Sequence, residues 1–338
     1  MLKSHFASHM YVRKKVVLID TDPGVDDALA LLMALNTEEL EILGFVSEPG
    51  NVPSERGSAN IIRLLDAVGA PPSLYEKVHT GARRPLVREL ITAEWVHGLD
   101  GLGDAGLPPP SRQPKGRGVH FIVEQLLSAA KGEVSLLCLG PLTNIALSVL
   151  LEPDIVERVG EVVIMGGWFA LTPFSYGNIT PVSEFNVYTD PEAAKIVFES
   201  FEGKLRAVGL DVTMHPEAEL TWSSWEKLRS SPSRVAKVAA RLLENPLRKF
   251  GGRFLPHDPL AFTALVRPDI FTFGEYAVTV SLADGITRGQ TIVERRYWLE
   301  EFKEAPEIGT YVRRPKIRVA VDVRAGEALA FILDVLSS

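Results

Sequence analysis

The chain has 338 residues, of which 46% are hydrophobic and 23% are charged, and its formal net charge is -7 at pH 7. These values are ordinary for a globular protein, and the acidic balance gives no reason to expect a nucleic-acid or anionic-membrane surface. The one cysteine, Cys138, lies in the apolar run 134–139, so an internal disulfide is excluded and a buried structural thiol is expected.

The first 14 residues lack the apolar core of a signal peptide, and we interpret them as a leader or an expression-tag remnant. No apolar run reaches the roughly 20 residues that a membrane-spanning helix needs, so we expect a cytoplasmic protein. No repeat, low-complexity run or linker divides the remainder. Residues 15–338 are therefore predicted to form a single domain.

The first predicted element is a strand that begins at Val16. Its four apolar residues, VVLI, do not alternate with polar ones, which is typical of a strand buried on both faces of a parallel sheet. Pro23-Gly24 ends this element, and an apolar helical pattern follows from Val25 to Leu35.

An acidic turn joins the strand to the helix and contains Asp20, Asp22, Asp26 and Asp27. The last two open the helix, where carboxylates cap free N–H groups and interact favourably with the helix dipole. Capping does not explain four carboxylates within eight positions, because like charges this close need protons or a bound cation. Oxygen ligands without nearby Cys or His favour a hard ion such as Ca²⁺ or Mg²⁺. The alternative is a helix cap beside a solvated acidic turn.

Apolar runs alternate with helical patterns through most of the remaining chain. The predicted elements are a strand at 40–46, a helix at 54–68 capped by Ser54, a helix near 119–130, a strand at 134–139, a helix after Asn144, a strand at 161–165, a helix from 191 to about 201, a strand at 206–210, two helical pieces within 222–250, strands at 276–282, 290–294 and 317–323, and a helix from Gly326. Two irregular segments, 80–115 and 168–188, are typical of lids or binding loops. This order predicts an α/β fold with a doubly wound, mostly parallel open sheet, helices on both faces and a strand-rich C-terminal portion.

Polar clusters follow the predicted strands at the points where they end. They are the acidic turn, Pro49-Gly50-Asn51, the segment 140–144, and Gly166-Gly167 with the segment that follows it. Ligands of open parallel sheets bind beyond the carboxyl ends of the strands. We therefore expect these distant segments to meet at one edge of the sheet.

Eight short motifs carry a family resemblance. In chain order they are DTDPGVDDA (20–28), GN (50–51), HG (97–98), GPLTN (140–144), MGG (165–167), GN (177–178), EFN (184–186) and HDPL (257–260). One such motif is weak support, but the ordered set is specific, and it resembles the inosine-uridine preferring nucleoside hydrolase family. The resemblance implies a Rossmann-like fold and an enzyme that hydrolyses the N-glycosidic bond of ribonucleosides to ribose and free base.

The resemblance also implies a Ca²⁺ site. Its ligands would be the side chains of Asp22, Asp27 and Asp258 and the backbone carbonyl of Thr143, with ribose hydroxyls and a water completing the shell. Asp22 would take the proton of the attacking water. The residues expected to bind the sugar are Asp26, Asn51, Asn178, Glu184 and Asn186.

Two histidines are candidates for the leaving-group side. His257 would donate a hydrogen bond or proton to the departing base, and His97 would be a second histidine of the pocket. Taken alone, His97 fits a surface or capping role equally well, whereas a functional role is favoured for His257 because it directly precedes Asp258. The presence of both resembles the broad-specificity or pyrimidine-preferring branch of the family. The family is commonly oligomeric, which implies a homodimer or homotetramer.

Two segments depart from the family pattern. Ser47-Glu48-Pro49-Gly50 stands where relatives tend to have Thr-Thr-Val and a small residue, and 168–176 is longer than in the shortest versions. The aromatic residues of this longer segment either stack on a base or pack within the loop. Two other functions stay open: a Mg²⁺-dependent phosphohydrolase with an aspartyl nucleophile, and a nucleoside or ribose sensor without turnover.

Overall fold

A computed structural model of the protein describes residues 14–296, 298 and 315–338. Residues 1–13 of the predicted leader lie outside this description. The described strands are β1 Lys15–Thr21, β2 Leu40–Ser47, β3 Val78–Thr80, β4 Val134–Cys138, β5 Glu161–Met165, β6 Leu205–Val208, β7 Leu220–Thr221, β8 Arg253–Phe254, β9 Phe271–Val280, β10 Thr291–Val293 and β11 Lys316–Val323.

The described α-helices lie between these strands and at the C-terminus. They are α1 Val25–Leu35, α2 Ser54–Val68, α3 Pro72–Tyr75, α4 Glu94–His97, α5 Gly118–Ser128, α6 Thr143–Leu151, α7 Ile155–Arg158, α8 Phe185–Thr189, α9 Pro191–Ser200, α10 Leu210–Thr213, α11 Trp222–Ser230, α12 Arg234–Lys249, α13 His257–Val266 and α14 Ala325–Ser337. Within the described ranges, every helix is too short or too polar to serve as a membrane span.

Nine strands form one sheet in the order β10-β9-β11-β6-β5-β4-β1-β2-β3, and β7 pairs with β8 in a separate antiparallel ribbon. Neighbouring strands from β3 to β11 are parallel, while β9 and β10 extend one edge in antiparallel orientation. The predicted α/β fold with a mostly parallel sheet is therefore confirmed. The strand order reverses at β1, and open sheets of this kind bind ligands at that point.

The central strand β1 contributes to hydrophobic cores on both faces of the sheet. Val17 and Ile19 pack in a cluster with α1, α12 and α13, whereas Leu18 packs in a cluster with α5, α6 and α9. All three side chains are fully buried. This double burial explains the apolar run without alternation and holds the acidic turn after β1 in a fixed place.

Six of the described helices were not predicted from the sequence: the short helices α3, α4, α7, α8 and α10, and the longer α13. Helix α8 begins inside the segment expected to be irregular, and its five residues are too few to show a helical period. Helix α13 carries Asp258 in its first turn and is buried from Asp258 to Leu265. A helix that is buried all round has no polar face, so its sequence lacks the alternation that reveals a surface helix.

Several predicted element ends were wrong; for example, the strand predicted at 276–282 is β9, Phe271–Val280. The N-cap of α2 is Pro53, and Ser54 is the first helical residue rather than the cap. The strand expected at 206–210 ends at Val208, because Gly209 turns the chain and Leu210 begins α10. A Cβ at Gly209 would lie 2.6 Å from the carbonyl oxygen of Gly167, so the loop after β5 can approach only a glycine here.

Candidate active site

The loops that follow β1, β2 and β4 meet around the carboxylate of Asp22. A Cβ added at Gly50 would lie 2.0 Å from Asp22 Oδ2, and one added at Gly140 would lie 2.3 Å from Asp22 Oδ1. The backbone N–H of Asn51 donates to Asp22 Oδ2 at 2.6 Å. A side chain at either glycine would displace the carboxylate, so these two positions require glycine for close packing.

Asp27 is held by four donors. Its carboxylate accepts hydrogen bonds from Thr21 Oγ1 at 2.5 Å, from the N–H of Asp22 at 3.3 Å, from the N–H of Gly24 at 3.0 Å and from Asn51 Nδ2 at 3.0 Å. Gly24 is the N-cap residue of α1, so Asp27 caps this helix while it remains fully buried. The side chain is thus fixed by the fold before any ligand binds.

Two buried carboxylate oxygens, Asp22 Oδ1 and Asp26 Oδ1, have no hydrogen-bond partner among the described residues. Burial, together with the neighbouring carboxylates, raises the pKa values of Asp22, Asp26 and Asp258 well above their usual range. Unpaired buried carboxylate oxygens are unfavourable and need a partner. The cluster therefore requires a cation or bound protons.

The acidic residues are spaced to hold a cation. One ligand oxygen from each of Asp26, Asp27 and Asp258 lies within 4.8 Å of the others. A set made only of buried carboxylate oxygens suits a hard divalent ion such as Ca²⁺. Asp22 is outside this tightest group, and its Oδ2 is already bonded to Asn51. The sequence assigned Asp26 to the sugar and Asp22 to the metal, and both assignments stay predictions.

Thr143 begins α6 and is fully buried. Its hydroxyl donates to Asp190 Oδ2 at 2.8 Å, and the same oxygen accepts the N–H of Leu86 at 2.8 Å. Asp190 therefore connects the start of α6 to the loop before α4. No role was predicted for Asp190 from the sequence, although its place before Pro191 at the start of α9 is a cap signal.

The departure at 47–50 puts an additional carboxyl group beneath the site. Glu48 is fully buried, and its Oε1 has no hydrogen-bond partner among the described residues. Burial and the nearby Asp20 and Asp22 raise the pKa of Glu48 well above its usual range, and burial raises the pKa of Asp20 to about 7. Neither residue was assigned a role from the sequence, yet both extend the acidic cluster behind Asp22.

Two of the residues expected to bind sugar, Glu184 and Asn186, are held in place by backbone groups. Glu184 accepts three backbone N–H groups, from Gly167, Asn186 and Val187, at 2.8 to 3.0 Å. Asn186 Nδ2 donates to the carbonyl oxygens of Leu139 and Met165 at the ends of β4 and β5. Burial raises the pKa of Glu184, and the three N–H groups oppose this shift.

A cavity of about 430 Å³ lies above the acidic cluster. This volume suits a small organic ligand. Eight of the predicted residues line it: Asp26, Asn51, His97, Asn178, Glu184, Asn186, His257 and Asp258. Asp22, Asp27 and Thr143 are not in its wall. The loops therefore bring distant polar residues to one cavity, as the positions of the motifs indicated.

Both candidate histidines line the cavity and are neutral; His97 is buried and His257 is partly buried. His97 Nδ1 accepts the N–H of Val25 at 3.1 Å, so it caps α1 and carries its proton on Nε2. His257 Nδ1 lies 2.7 Å from Thr213 Oγ1. Burial lowers the pKa of each histidine to about 4. At neutral pH each is therefore a neutral imidazole with one N–H group rather than a cationic acid.

The aromatic residues of 168–176 do not line this cavity. Phe169 is buried in the core, Trp168 Nε1 donates to Ser175 Oγ at 3.0 Å, and Phe174 packs edge-on against His215. Packing within the loop is thus the correct interpretation for these three. The aromatic wall of the cavity comes instead from Trp95, Phe185, Phe250 and Phe254. The sequence offered one signal for it, the position of Trp95 two residues before His97.

Comparison with known proteins agrees with this geometry. The family model described as inosine-uridine preferring nucleoside hydrolase matches residues 17–330. A probable uridine nucleosidase 2 of Arabidopsis thaliana is 36% identical over 330 residues, covering 95% of this chain and 97% of that protein. A pyrimidine-specific ribonucleoside hydrolase RihA of Salmonella typhi is 38% identical over 285 residues, covering 82% and 88%.

Solved structures give the same result. The plant nucleoside hydrolase PpNRh1 superimposes with a TM-score of 0.85 at 30% identity, covering 96% of this chain and 100% of that one. An inosine-guanosine nucleoside hydrolase has a TM-score of 0.81 at 29% identity, covering 95% and 98%. The chain belongs to the inosine-uridine preferring nucleoside hydrolase family and is a hydrolase acting on N-glycosyl compounds.

Proposed function

We propose that the protein hydrolyses pyrimidine ribonucleosides, with uridine as a preferred substrate, to ribose and free base in a Ca²⁺-dependent reaction. The observation that carries this proposal is the buried group of Asp26, Asp27 and Asp258, whose ligand oxygens lie within 4.8 Å of one another beneath a cavity of nucleoside size. The names of the uridine nucleosidase and the pyrimidine-specific relatives support the choice of base.

The cation is assigned to the side chains of Asp22, Asp27 and Asp258 and the carbonyl of Thr143. When bound, Ca²⁺ would neutralise the acidic cluster and orient the ribose hydroxyls and the attacking water. Asp22 is the proposed general base. The Asn51 N–H fixes its Oδ2, and its Oδ1 has no partner among the described residues, which leaves one oxygen to accept a proton from water.

Other residues that line the cavity are assigned to the sugar. Breaking the glycosidic bond leaves positive charge on the ribose ring, as in other glycoside hydrolyses. Glu184 is 2% exposed and is fixed by three backbone N–H groups, so its negative charge is already placed for this transition state. Asp26, Asn51, Asn178 and Asn186 are assigned to the ribose hydroxyls, and all four line the cavity.

The leaving base is assigned to the side of the cavity that contains His97 and His257. With pKa values near 4, both imidazoles are neutral at pH 7. His97 then donates to the base through Nε2, and His257 does so in the tautomer in which its Nδ1 accepts from the hydroxyl of Thr213. This differs from the expectation of a full proton transfer from His257. It leaves part of the stabilisation of the departing base to other groups.

A substrate panel tests the proposal. Uridine, cytidine, inosine and adenosine are incubated with the protein in Ca²⁺ and in chelator, and free base is measured for each. We expect the fastest release from uridine, and loss of release in chelator that returns when Ca²⁺ is restored. Phosphate release from a nucleotide without free base, or tight uridine binding without turnover, would contradict the proposal.

A further inference from the structure

One ion pair in the cavity wall has no part in the reaction described so far. Glu219 and Arg253 both line the cavity, and Arg253 Nη1 donates to Glu219 Oε2 at 3.1 Å. Among the described residues in the cavity wall, Arg253 is the only lysine or arginine. The two side chains are 70% and 20% exposed, and exposed pairs of this kind contribute little to folding stability. A contribution to folding stability therefore does not explain why the Arg253 guanidinium lies in the cavity wall.

One segment of the chain lines the cavity from its metal end, which is the end formed by Asp26 and Asp258, to its outer rim. Asp258, His257, Leu255, Phe254 and Arg253 all line the cavity and follow one another along a single segment. A fully extended chain rises about 3.3 Å per residue, so Arg253 Cα lies at most about 13 Å from His257 Cα. A base that extends along this segment from a ribose at Asp258 meets the apolar residues first, and its outer edge faces the end of the segment that carries Arg253.

The small ribbon of β7 and β8 fixes this outer end. Thr221 pairs with Arg253 and Leu220 pairs with Phe254 in antiparallel register, so Glu219, the residue before β7, lies beside the end of β8, and its side chain reaches Arg253 diagonally across the ribbon. The ribbon thus presents one hydrogen-bond acceptor and one cationic donor side by side. The outer edge of uracil, and of hypoxanthine, offers the complement: a carbonyl oxygen next to a ring N–H.

We propose that Arg253, positioned by Glu219, binds the carbonyl oxygen on the outer edge of a keto base and stabilises that base as it leaves. This inference rests on the proposed nucleoside hydrolysis. In the step concerned, the oxygen of water bonds to C1′ and the C1′–N bond breaks, with its electron pair passing to the base. The proton of the water goes to Asp22, and the base later takes a proton from solvent. The charge on the departing base is shared with its carbonyl oxygen, where the guanidinium donates.

The test uses Arg253→Met and Arg253→Lys in the full chain with Ca²⁺, and three substrates. Uridine needs help for its leaving group, cytidine has an amino group in place of the outer carbonyl, and p-nitrophenyl riboside has a leaving group that carries its own charge. Arg248→Met is the matched control, because Arg248 forms an exposed pair with Glu244 at 66% and 39% exposure and does not line the cavity.

We expect Arg253→Met to lower kcat for uridine about tenfold, less than the hundredfold typical of a buried transition-state donor because this side chain is largely exposed. The uridine-to-cytidine ratio of kcat/KM should fall, p-nitrophenyl riboside should react nearly as before, and Arg253→Lys should recover part of the rate. Arg248→Met should match the wild type.

Three results would overturn the inference while leaving nucleoside hydrolysis intact. They are unchanged uridine turnover in Arg253→Met, an equal loss on uridine and cytidine, and an equal loss on uridine and p-nitrophenyl riboside, which would indicate a structural role. A wild-type protein that releases no base from any nucleoside contradicts the proposed function itself, so the two failures are distinguishable.

Discussion

The two ends of the cavity are built in different ways. Beneath the metal end, Asp22 and Asp27 are buried behind the cavity wall, and backbone N–H groups and close-packed glycines hold them. At the base end, Trp95 is 56% exposed, Phe250 is 39% exposed and the side chain of Arg253 is 70% exposed. The metal end is therefore rigid before substrate binds, whereas the base end is a rim of side chains with room to adapt.

This difference separates chemistry from specificity. Residues that must hold charges at fixed distances lie directly after the central strands, where the sheet leaves little freedom. Exposed residues of the outer cavity wall lie on the short helix α4, at the end of α12 and on the ribbon of β7 and β8. A hydrogen bond from Lys249 Nζ to the carbonyl oxygen of Trp95 connects two of these elements across the rim. Substrate range can thus change at the rim without disturbing the metal end.

The largest expected effect comes from removing charge at the metal end. Asp22→Asn keeps the shape of the side chain but removes the proposed base, so kcat for uridine should fall about 10³-fold. Asp22→Asn and Asp258→Asn should both weaken Ca²⁺ binding, measured by calorimetry, because both side chains are proposed ligands and Asp258 belongs to the closest group of acidic oxygens. Asp284→Asn, at a fully exposed aspartate, is the control. Wild-type turnover in Asp22→Asn would remove Asp22 from the mechanism.

The acidic cluster also predicts how stability depends on pH. Burial raises the folded-state pKa values of Asp22, Asp26 and Asp258 above their unfolded values, and that of Asp20 to about 7. Between about pH 4 and 7 the folded protein without Ca²⁺ therefore binds more protons than the unfolded chain. Its free energy of unfolding should fall as pH rises, by about 1.4 kcal/mol per pH unit for each extra proton.

Calorimetry between pH 5 and 8 measures this effect. In chelator, Tm should decrease across the range; with saturating Ca²⁺ the decrease should disappear, because the cation replaces the protons on the carboxylates. A Tm in chelator that rises with pH, or a slope that Ca²⁺ leaves unchanged, would show that the cluster is not the cation site.

A smaller effect is expected from adding one methyl group at the metal end. Gly50→Ala would place a Cβ 2.0 Å from Asp22 Oδ2, so the carboxylate or the loop must move, at a cost of about 1–3 kcal/mol in folding stability. Ca²⁺ affinity should fall with it. Gly116→Ala is the matched control, because a Cβ there meets nothing within 4 Å. Equal Tm and equal Ca²⁺ affinity in the two variants would contradict the rigid packing around Asp22.

The same contrast explains what the sequence alone could predict. The position of β1, its burial on both faces and the meeting of motifs at the strand ends follow from the periodicity of apolar residues and from general rules of parallel sheets. Asp26 and Asn51 therefore could be expected to lie near each other, whereas Asp258 was placed with them only by the family resemblance. Long helices with one polar and one apolar face, such as α2 and α12, were predictable, and α13, which is buried all round, was missed.

The base end was predicted poorly for a physical reason. Trp95, Phe254 and Arg253 line the cavity only because α4, α12 and the ribbon of β7 and β8 pack against one another in three dimensions. No local period in the sequence marks such contacts, and the aromatic segment 168–176 was an equally plausible choice. In the same way, Glu48 was noticed as a departure from a pattern, but its burial beside Asp20 depends on how β1 and β2 pair.

The smallest expected effect tests the rim directly. Trp95→Ala removes an exposed aromatic ring of the cavity wall, and the loss of one ring contact, about 0.5–1.5 kcal/mol, should raise KM for uridine a few-fold with little change in kcat. Tyr176→Ala is the matched control, because Tyr176 is 61% exposed but does not line the cavity. If Trp95→Ala lowered kcat as strongly as it raised KM, the rim would take part in the chemistry, and the separation between a rigid reacting end and an adaptable binding end would not hold.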